Sequence, residues 1–470
     1  ATPSDEPLAL AMRLARKKGR VVVVGDVGMK VDRSLMYGKE LDLRISTSYG
    51  PGRYDASYEE GGVDYPYAYV RWTEGRNLSA FLDLVAGGQV RVDPLIERIY
   101  PVQQAPAAYA SLREAQRKPA VLLSFPPAPA NAPQPHSQTV RLARPQESSA
   151  GRKAALVGPG NFMKEVFLPA FRREKVAAVE AVVSGSGASA LSAARRLGAS
   201  VASTNLDEVL ADPSVSLVLI GTRHHLHASQ VEKALRAGKS VFVEKPLCLT
   251  RDELERIREA HRLGGGLLAV GFNRRYAPLV REMKRRLALL PGPRVIQVRV
   301  NAGRLPAEHW TQDPKIGGGR LLGEGCHFLD LVPFLAGSPI VSIQVEKISA
   351  SGGGMSLPVP DNFNVSLSLA DGSLGSLLYT SLGDASLGKE LVEVHASGTS
   401  LVLDDFCELR IHRSGKSQRI TRAMDKGIGA EVVALKAALA GESSELITWK
   451  EIEAATEWTL RAQELLEGRG

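Results

Sequence analysis

AALVGPGNFM, residues 154–163, is an apolar run that enters a Gly-Pro-Gly turn. Four consecutive apolar residues without polar alternation describe a strand buried on both faces, as in a parallel sheet. Gly158 and Gly160 after such a strand let the backbone approach a phosphate. A helix starting there would add free N–H groups and the positive end of its dipole. The stretch predicts a nucleotide site with Gly158, Gly160, Asn161 and Phe162 against the ligand; a tight turn without a ligand is the alternative. Met163 stands where a G-x-G-x-x-G pattern has its third glycine.

Outward from this turn the alternation continues. Val179–Val183, Val215–Ile220, Val241–Val243 and Leu267–Val270 are further short apolar runs. Helical segments separate them, including 226–237 and a helix opened by the capping box Thr250-Arg-Asp-Glu253. Residues 153–271 therefore read as a doubly wound α/β domain of the Rossmann type with a parallel sheet. From about residue 294 the period becomes two. Ile296, Val298 and Val300 alternate with polar residues, as do Phe363, Val365, Leu367 and Leu369, and then Cys407, Leu409 and Ile411; Asp371-Gly372 marks a hairpin. Residues 272–470 read as an α+β domain with an open, mostly antiparallel sheet, closed by a helix behind a second capping box at Thr448–Glu451.

Upstream, Pro126–Pro145 holds six prolines and Ser148-Ser-Ala-Gly-Arg152 follows. Proline removes donors and fixes φ, so 126–152 is expected to be an extended linker. Residues 1–125 form a partial α/β region: buried strands at Val21–Val24 and Leu41–Ser46, a last one at Val121–Leu123, and a helix over about 77–87. Asn77 would cap that helix, and Leu78, Phe81, Leu82 and Val85 form its stripe.

The 470 residues suit two to four domains. No apolar run reaches the length that spans a bilayer, so no membrane association is expected. The first twenty residues lack the order of a signal peptide. The three cysteines, Cys248, Cys326 and Cys407, are no disulfide framework, which points to a reducing cytoplasm. A net charge of +8 is spread along the chain and interleaved with acids, so no nucleic-acid partner is expected.

Three further segments could hold chemistry. The second strand ends in Val183-Ser184 without the acid that usually meets the ribose of NAD, and no adjacent arginine clamps a 2′-phosphate. Glu244-Lys245-Pro246 puts a lysine at the carboxyl end of a parallel strand, where desolvation would suit it to proton transfer. A glycine-rich stretch from Gly317 leads into Glu324 and His327. His224, His225 and His227 cluster after a strand, but no acidic ligand is near them in sequence and no metal is expected.

In this order, GPGN, the TR-HHLH turn at 222–227, EKP, GFNRR at 271–275 and GGGRLLGEGCHFLD at 317–330 resemble the Gfo/Idh/MocA family of oxidoreductases over about 153–470. The resemblance implies NAD or NADP as cofactor and a sugar or sugar derivative as substrate. It also implies a homo-oligomer through the C-terminal sheet. Lys245 matches the family's catalytic lysine, in a bond before Pro246 that is often cis, and His327 its active-site histidine. Ser184, Thr222, Arg223, His227, Glu244 and Lys245 would join the glycine turn in holding the cofactor. Arg274, Arg275, Tyr276 and Glu324 are expected in the substrate pocket. Many family members carry Asp four residues before the histidine, where this chain has Gly323. Residues 1–125 resemble the C-terminal part of a zinc-type, medium-chain alcohol dehydrogenase, lacking its zinc ligands. Together the segments resemble the latter two-thirds of a bi-domain oxidoreductase linked to surface polysaccharide synthesis. Two other readings stay open: a glycoside-cleaving enzyme working by NAD-dependent oxidation and elimination, and a non-catalytic nucleotide sensor or scaffold.

Overall fold

Parallel strand pairs organise the first of the two units into which the chain divides, residues 1–134 and 135–470. The computed structural model describes residues 2–46, 48–59, 63–112, 120–125, 138–142, 151–306, 308–348 and 361–468. In the first unit β1 (Arg20–Val23) pairs with β2 (Asp42–Ile45), and β3 (Ile96–Pro101) with β4 (Ala120–Ser124). Parallel pairing needs crossover connections, and helices Arg33–Lys39 and Ala105–Ser111 lie in them. The run at 21–24 is not buried throughout, as the sequence suggested. Val21 packs with Leu8, Met12 and Leu41, while Val22 and Val24 are exposed. A two-stranded sheet covered on one face leaves alternate residues without a layer to pack on. The helix expected at 77–87 spans Glu74–Ala86 with Thr73 at its N-cap, because the Asn77 amide donates to the Tyr49 carbonyl at 2.9 Å instead of capping. Leu78, Phe81 and Leu82 of its stripe remain exposed.

The second unit contains two sheets. β5 (Thr139–Arg141), β6 (Lys153–Val157), β7 (Ala178–Val183), β8 (Val201–Ser203), β9 (Val215–Ile220), β10 (Ser240–Val243) and β11 (Leu268–Val270) lie in the order β11-β10-β9-β6-β7-β8-β5. All neighbours are parallel except β5, which runs antiparallel to β8. The expected linker thus contributes an edge strand. Thr139-Val140-Arg141 contains no proline, so its donors remain available. Residues 126–137 and 143–150 of that segment lie outside the described residues. The chain winds from β6 to β8 on one side and from β9 to β11 on the other, so the topological switch falls between β6 and β9.

The second sheet holds β12 (Val295–Asn301), β13 (Ile340–Lys347), β14 (Phe363–Leu369), β15 (Leu374–Thr380), β16 (Glu390–Ala396), β17 (Thr399–Asp404), β18 (Glu408–Arg413) and β19 (Lys416–Thr421). Their order is β13-β14-β15-β12-β16-β17-β18-β19, antiparallel but for the parallel pair β12–β15. The alternating apolar residues face one core: Ile296, Val298 and Val300 share it with Leu331, Val332 and Leu335 of helix Cys326–Ala336. On the opposite face Val295, Leu374 and Leu378 are exposed.

The cores do not separate at the 271/272 boundary that the sequence suggests. Helix Ile428–Ala440 buries Val432 and Leu435 among Met163, Phe167 and Phe171 of the first sheet's layer. Helix Trp449–Leu466 packs Ile452 and Ala455 with Leu254, Val270 and Phe272, then Ala462 and Leu466 with the second core. The 3-10 turn Asn273–Tyr276, just past β11, is pinned into this junction. Arg275 forms a bidentate pair with Asp330, Nε to Oδ2 at 3.0 Å and Nη2 to Oδ1 at 2.5 Å, and reaches Glu451 at 2.9 Å. The two paired side chains are only 6% and 1% exposed.

Removing one partner of such a pair strands a charge in the interior, which costs about 3–5 kcal/mol. Asp330→Ala should lose that much in denaturant unfolding. Arg275→Met combined with Asp330→Leu should recover most of it. A loss below about 1 kcal/mol for Asp330→Ala would show that the clamp does not hold the junction.

Candidate active site

The ends of β6, β7, β9 and β10 meet at one edge of the first sheet. Gly158 N–H donates to Val183 O, Gly221 N–H to Val157 O and Glu244 N–H to Ile220 O, each at 2.9 Å. With Leu305, His309, Trp310, Thr311 and the stretch 319–327 they enclose a cavity of about 1080 Å³. Gly158 has φ +78°, and a Cβ on it would sit 2.5 Å from Thr222 Cγ2. Only glycine makes this turn. A Cβ on Gly160 would make ordinary contact with Gly221 O at 3.5 Å, so structure alone does not require glycine there. The missing third glycine is compensated across the crevice. Met163 is buried, and a Cβ on Gly221 would lie 2.2 Å from its Cγ, so the glycine just past the end of β9 makes room for Met163. Asn161, Phe162 and Ser184 line the same cavity. Beside Ser184 the lining residues Gly185, Ser189 and Thr204 are neutral, while Arg195 and Arg196 are exposed and do not line it.

Lys245 follows β10, joined to Pro246 by a cis bond, and its Nζ donates to Gly323 O at 2.6 Å. His227 fixes this approach. Its Nδ1 lies 2.7 Å from Pro246 O and its Nε2 3.1 Å from Thr222 O. A neutral imidazole has one proton for two carbonyls, and the shorter contact takes it. Burial holds His227 down to about 4, so it stays neutral. His227 lines the cavity as the sequence suggested, but both nitrogens are turned to backbone; it positions Lys245. Thr222 Oγ1 donates to Gln230 Oε1 at 2.7 Å, and Arg223 lies over the Trp310 ring at 5.8 Å. Glu244 also lines the cavity. Burial pushes its carboxyl up to about 7 against the opposing charge of Lys245.

His327 lines the cavity from the first turn of helix Cys326–Ala336. Arg274 Nη1 lies 2.9 Å from its Nε2. A guanidinium only donates, so Nε2 accepts and the proton sits on Nδ1. That Nδ1 is buried and has no partner among the described residues. Burial first, then the charges of Arg274 and Lys245, hold His327 well below the usual imidazole range. It is held as a neutral imidazole. Arg274 is held by the buried Glu390, Nη2 to Oε1 at 3.1 Å, and Lys426 pairs with the same carboxylate. Glu324 lines the cavity, with Lys389 on Oε1 and Tyr379 and Arg320 on Oε2. Burial raises its carboxyl, but these partners bring it down to about 2.

Two expected substrate residues lie elsewhere. Arg275 is committed to Asp330 and Glu451, and Tyr276 is buried with its hydroxyl accepting the Ile447 N–H at 2.8 Å. On a 3-10 turn consecutive side chains diverge by roughly a third of a turn, so only Arg274 of the three reaches the cavity. Sequence reasoning weighed the cavity residue His224 only as a metal ligand and passed over His309, Trp310 and Thr311. The segment carrying the last three has no periodic pattern; its one signal was a tryptophan amid polar residues. Among the described residues no group of three His, Cys, Asp or Glu side chains is placed to hold a metal.

The neutral imidazoles make stability depend on pH. Burial lowers His224 to about 3 and His227 to about 4, and His327 follows the same direction. The unfolded chain binds these protons near pH 6.5 while the folded one refuses them. Their contribution is complete above about pH 6.5 and is lost as pH falls through the folded values, up to about 1.4 kcal/mol per pH unit for each ring. Chemical unfolding between pH 7 and 4.5 should decline less steeply in His227→Gln than in the parent, the raised Glu244 carboxyl acting in the opposite sense in both; parallel profiles would mean that the ring is not held neutral.

Residues 152–272 match the family model described as an oxidoreductase family, NAD-binding Rossmann fold, and residues 291–402 match the GFO/IDH/MocA C-terminal domain. The scyllo-inositol 2-dehydrogenase (NAD(+)) of Bacillus subtilis is 33% identical over 153 residues, 32% of this chain and 44% of that protein. The 1,5-anhydro-D-fructose reductase of Ensifer adhaerens is 32% identical over 154 residues, 32% of this chain and 46% of that protein. The chain spans about half the length of the curated relatives it matches. A levoglucosan dehydrogenase structure, in complex with NADH and levoglucosan, shares the fold at a TM-score of 0.59 and 20% identity, covering 68% of this chain and 98% of that one. Residues 152–272 and 291–402 thus carry the NAD-binding and C-terminal domains of the Gfo/Idh/MocA oxidoreductase family.

Proposed function

We propose that residues 135–470 form an NAD(P)-dependent oxidoreductase that transfers a hydride between nicotinamide and a hydroxyl-bearing carbon of a sugar or sugar derivative. The observation that supports it most is the meeting of Lys245, Gly323 and His327 in the cavity that begins at the Gly158 turn. The residues fit a dinucleotide. Gly158 and Gly160 form the strand–helix turn, the crevice opens at the switch between β6 and β9, and the cavity is large enough for cofactor and a small substrate. Gly158, Gly160, Asn161, Phe162 and Ser184 would hold it, with Thr222 and Arg223 toward its nicotinamide end. The nicotinamide, once bound, supplies the hydride acceptor.

The chain's own groups divide the remaining work. Lys245, in its unprotonated form, accepts the hydroxyl proton. His327 stands in the cavity wall as a neutral imidazole, oriented through Arg274 and Glu390, and assists the lysine. General acid–base help of this kind contributes about 10²–10⁴-fold. The names of the inositol, anhydrofructose and levoglucosan relatives support a polyhydroxylated substrate.

The same reading makes residues 1–125 a catalytically silent remnant of a medium-chain dehydrogenase; their parallel strand pairs with crossover helices support it. A role in surface polysaccharide metabolism in the cytoplasm accompanies that two-part organisation. The exposed Val295, Leu374 and Leu378 on the open sheet support assembly of like chains through that face.

Lys245→Ala removes the proton acceptor and little cofactor contact. It should lower turnover of an accepted sugar by about 100-fold or more while NADH affinity, read by fluorescence titration, changes only a few-fold. Lys245→Arg should not rescue, since guanidinium stays protonated. Turnover near the parent rate in Lys245→Ala would remove the lysine from the mechanism. Gly160→Val places a side chain where a pyrophosphate must approach while its first carbon finds space in the fold. NADH affinity should fall at least about tenfold at an unchanged melting temperature; undiminished binding would put the nucleotide elsewhere.

A further inference from the structure

His224 opens the helix His224–Arg236, and no role in the reaction has been assigned to it so far. Its ring is held on two sides. Nδ1 lies 2.7 Å from Gly317 O, and the edge of Trp310 meets it at a centroid distance of 4.8 Å. A carbonyl only accepts, so the proton sits on Nδ1 and Nε2 carries the lone pair. Nε2 has no hydrogen-bond partner among the described residues, and His224 lines the cavity. The third side is Gly323. A Cβ built there would stand 3.1 Å from His224 Cε1, tighter than side chains normally pack, so the imidazole fits because position 323 has no side chain. The carbonyl of that same glycine receives Lys245 Nζ at 2.6 Å. Burial and the nearby Lys245 charge lower His224 to about 3, so its lone pair stays available.

From this packing we infer that His224 Nε2 is a substrate-positioning acceptor for a second hydroxyl of the substrate, next to the one that reacts at Lys245. The inference rests on the oxidoreductase reading above and narrows its substrate class to compounds with a free hydroxyl beside the reacting carbon. An acceptor locked in place gains nothing from an alcohol lacking that donor, and it is left unpaired when the donor is absent or methylated. Gly323 and His224 form one unit in this scheme: the glycine admits the ring, and the ring supplies the polar atom that the glycine lacks.

The test compares trans-1,2-cyclohexanediol, 2-methoxycyclohexanol and cyclohexanol as substrates with NAD and NADP. Three chains are used: the parent, His224→Asn and His224→Gln. Asparagine can imitate Nδ1 and keep the bond to Gly317 while removing the acceptor; glutamine can imitate Nε2. The parent should prefer the diol by about tenfold or more in kcat/KM, mainly through KM. The preference should collapse in His224→Asn at similar kcat and return in part in His224→Gln. A preference that survives in His224→Asn overturns the inference while leaving the oxidoreductase reading intact. Absence of turnover of all three alcohols, or diol turnover undiminished in Lys245→Ala, counts against that reading instead. The position of the ring is then decided without activity, in the NADH-bound protein labelled with ¹⁵N-histidine. The His224 signals should show Nδ1 protonated and Nε2 bare, and the Nε2 resonance should move on adding the diol but not cyclohexanol. A proton on Nε2, or no selective movement, overturns the inference.

Discussion

Two consecutive guanidinium groups, Arg274 and Arg275, hold the second unit together at the turn after its last nucleotide-domain strand. They point to different partners. Arg275 reaches through the core to Asp330 on the helix that begins at Cys326 and to Glu451 on the last helix. Arg274 turns to the cavity, where it fixes His327 and leans on Glu390 of the second sheet. Buried charges are tolerated only with partners of opposite sign and good geometry. The turn therefore fixes where helix Cys326–Ala336 can start, and with it the placement of His327. The distance between the strand edge bearing Lys245 and the helix bearing His327 is set by this pair.

Much of this architecture was legible in the chain. The parallel strands are short unbroken apolar runs, and the second sheet shows a period of two, because burial on two faces or on one imprints those patterns directly. Lys245, at a strand end, and His327, at the head of a glycine-rich helix start, stood out as candidates whose roles came only from the family resemblance; both line the cavity. What escaped were features decided by neighbours far along the chain. Nothing local distinguishes Arg274 from Arg275; their directions follow from Glu390 and Asp330, 116 and 55 residues away. Met163 read as a departure from the nucleotide pattern because its compensation lies at Gly221, just past the end of β9. The first unit disappointed its own pattern for the opposite reason: Val22 and Val24 look like core, but a two-stranded sheet supplies no second layer.

The cavity keeps three of its imidazoles uncharged. His224, His227 and His327 each donate or accept in a fixed sense, set by a carbonyl or a guanidinium rather than by pH. Charge is confined to groups with firm partners, such as Glu324 between Lys389, Tyr379 and Arg320. Polar groups preorganised in this way need no rearrangement when charge shifts on a substrate oxygen. Glu244 is the exception, with a carboxyl raised toward neutrality directly beside Lys245.

The return of helices Ile428–Ala440 and Trp449–Leu466 onto the first sheet has a consequence during synthesis. A chain emerges from the ribosome N-terminus first, and a domain settles only when its full set of contacts has been made. Here Phe167 and Phe171 find Val432 and Leu435, and Phe272 finds Ile452, only after more than two hundred intervening residues, or nearly two hundred for the last pair, have been translated. The nucleotide-binding half is made early and finished late. A message cut short before the last helices would release a polypeptide with its glycine turn and Lys245 in place and its apolar layer uncovered, a substrate for chaperones and proteases rather than a smaller working enzyme.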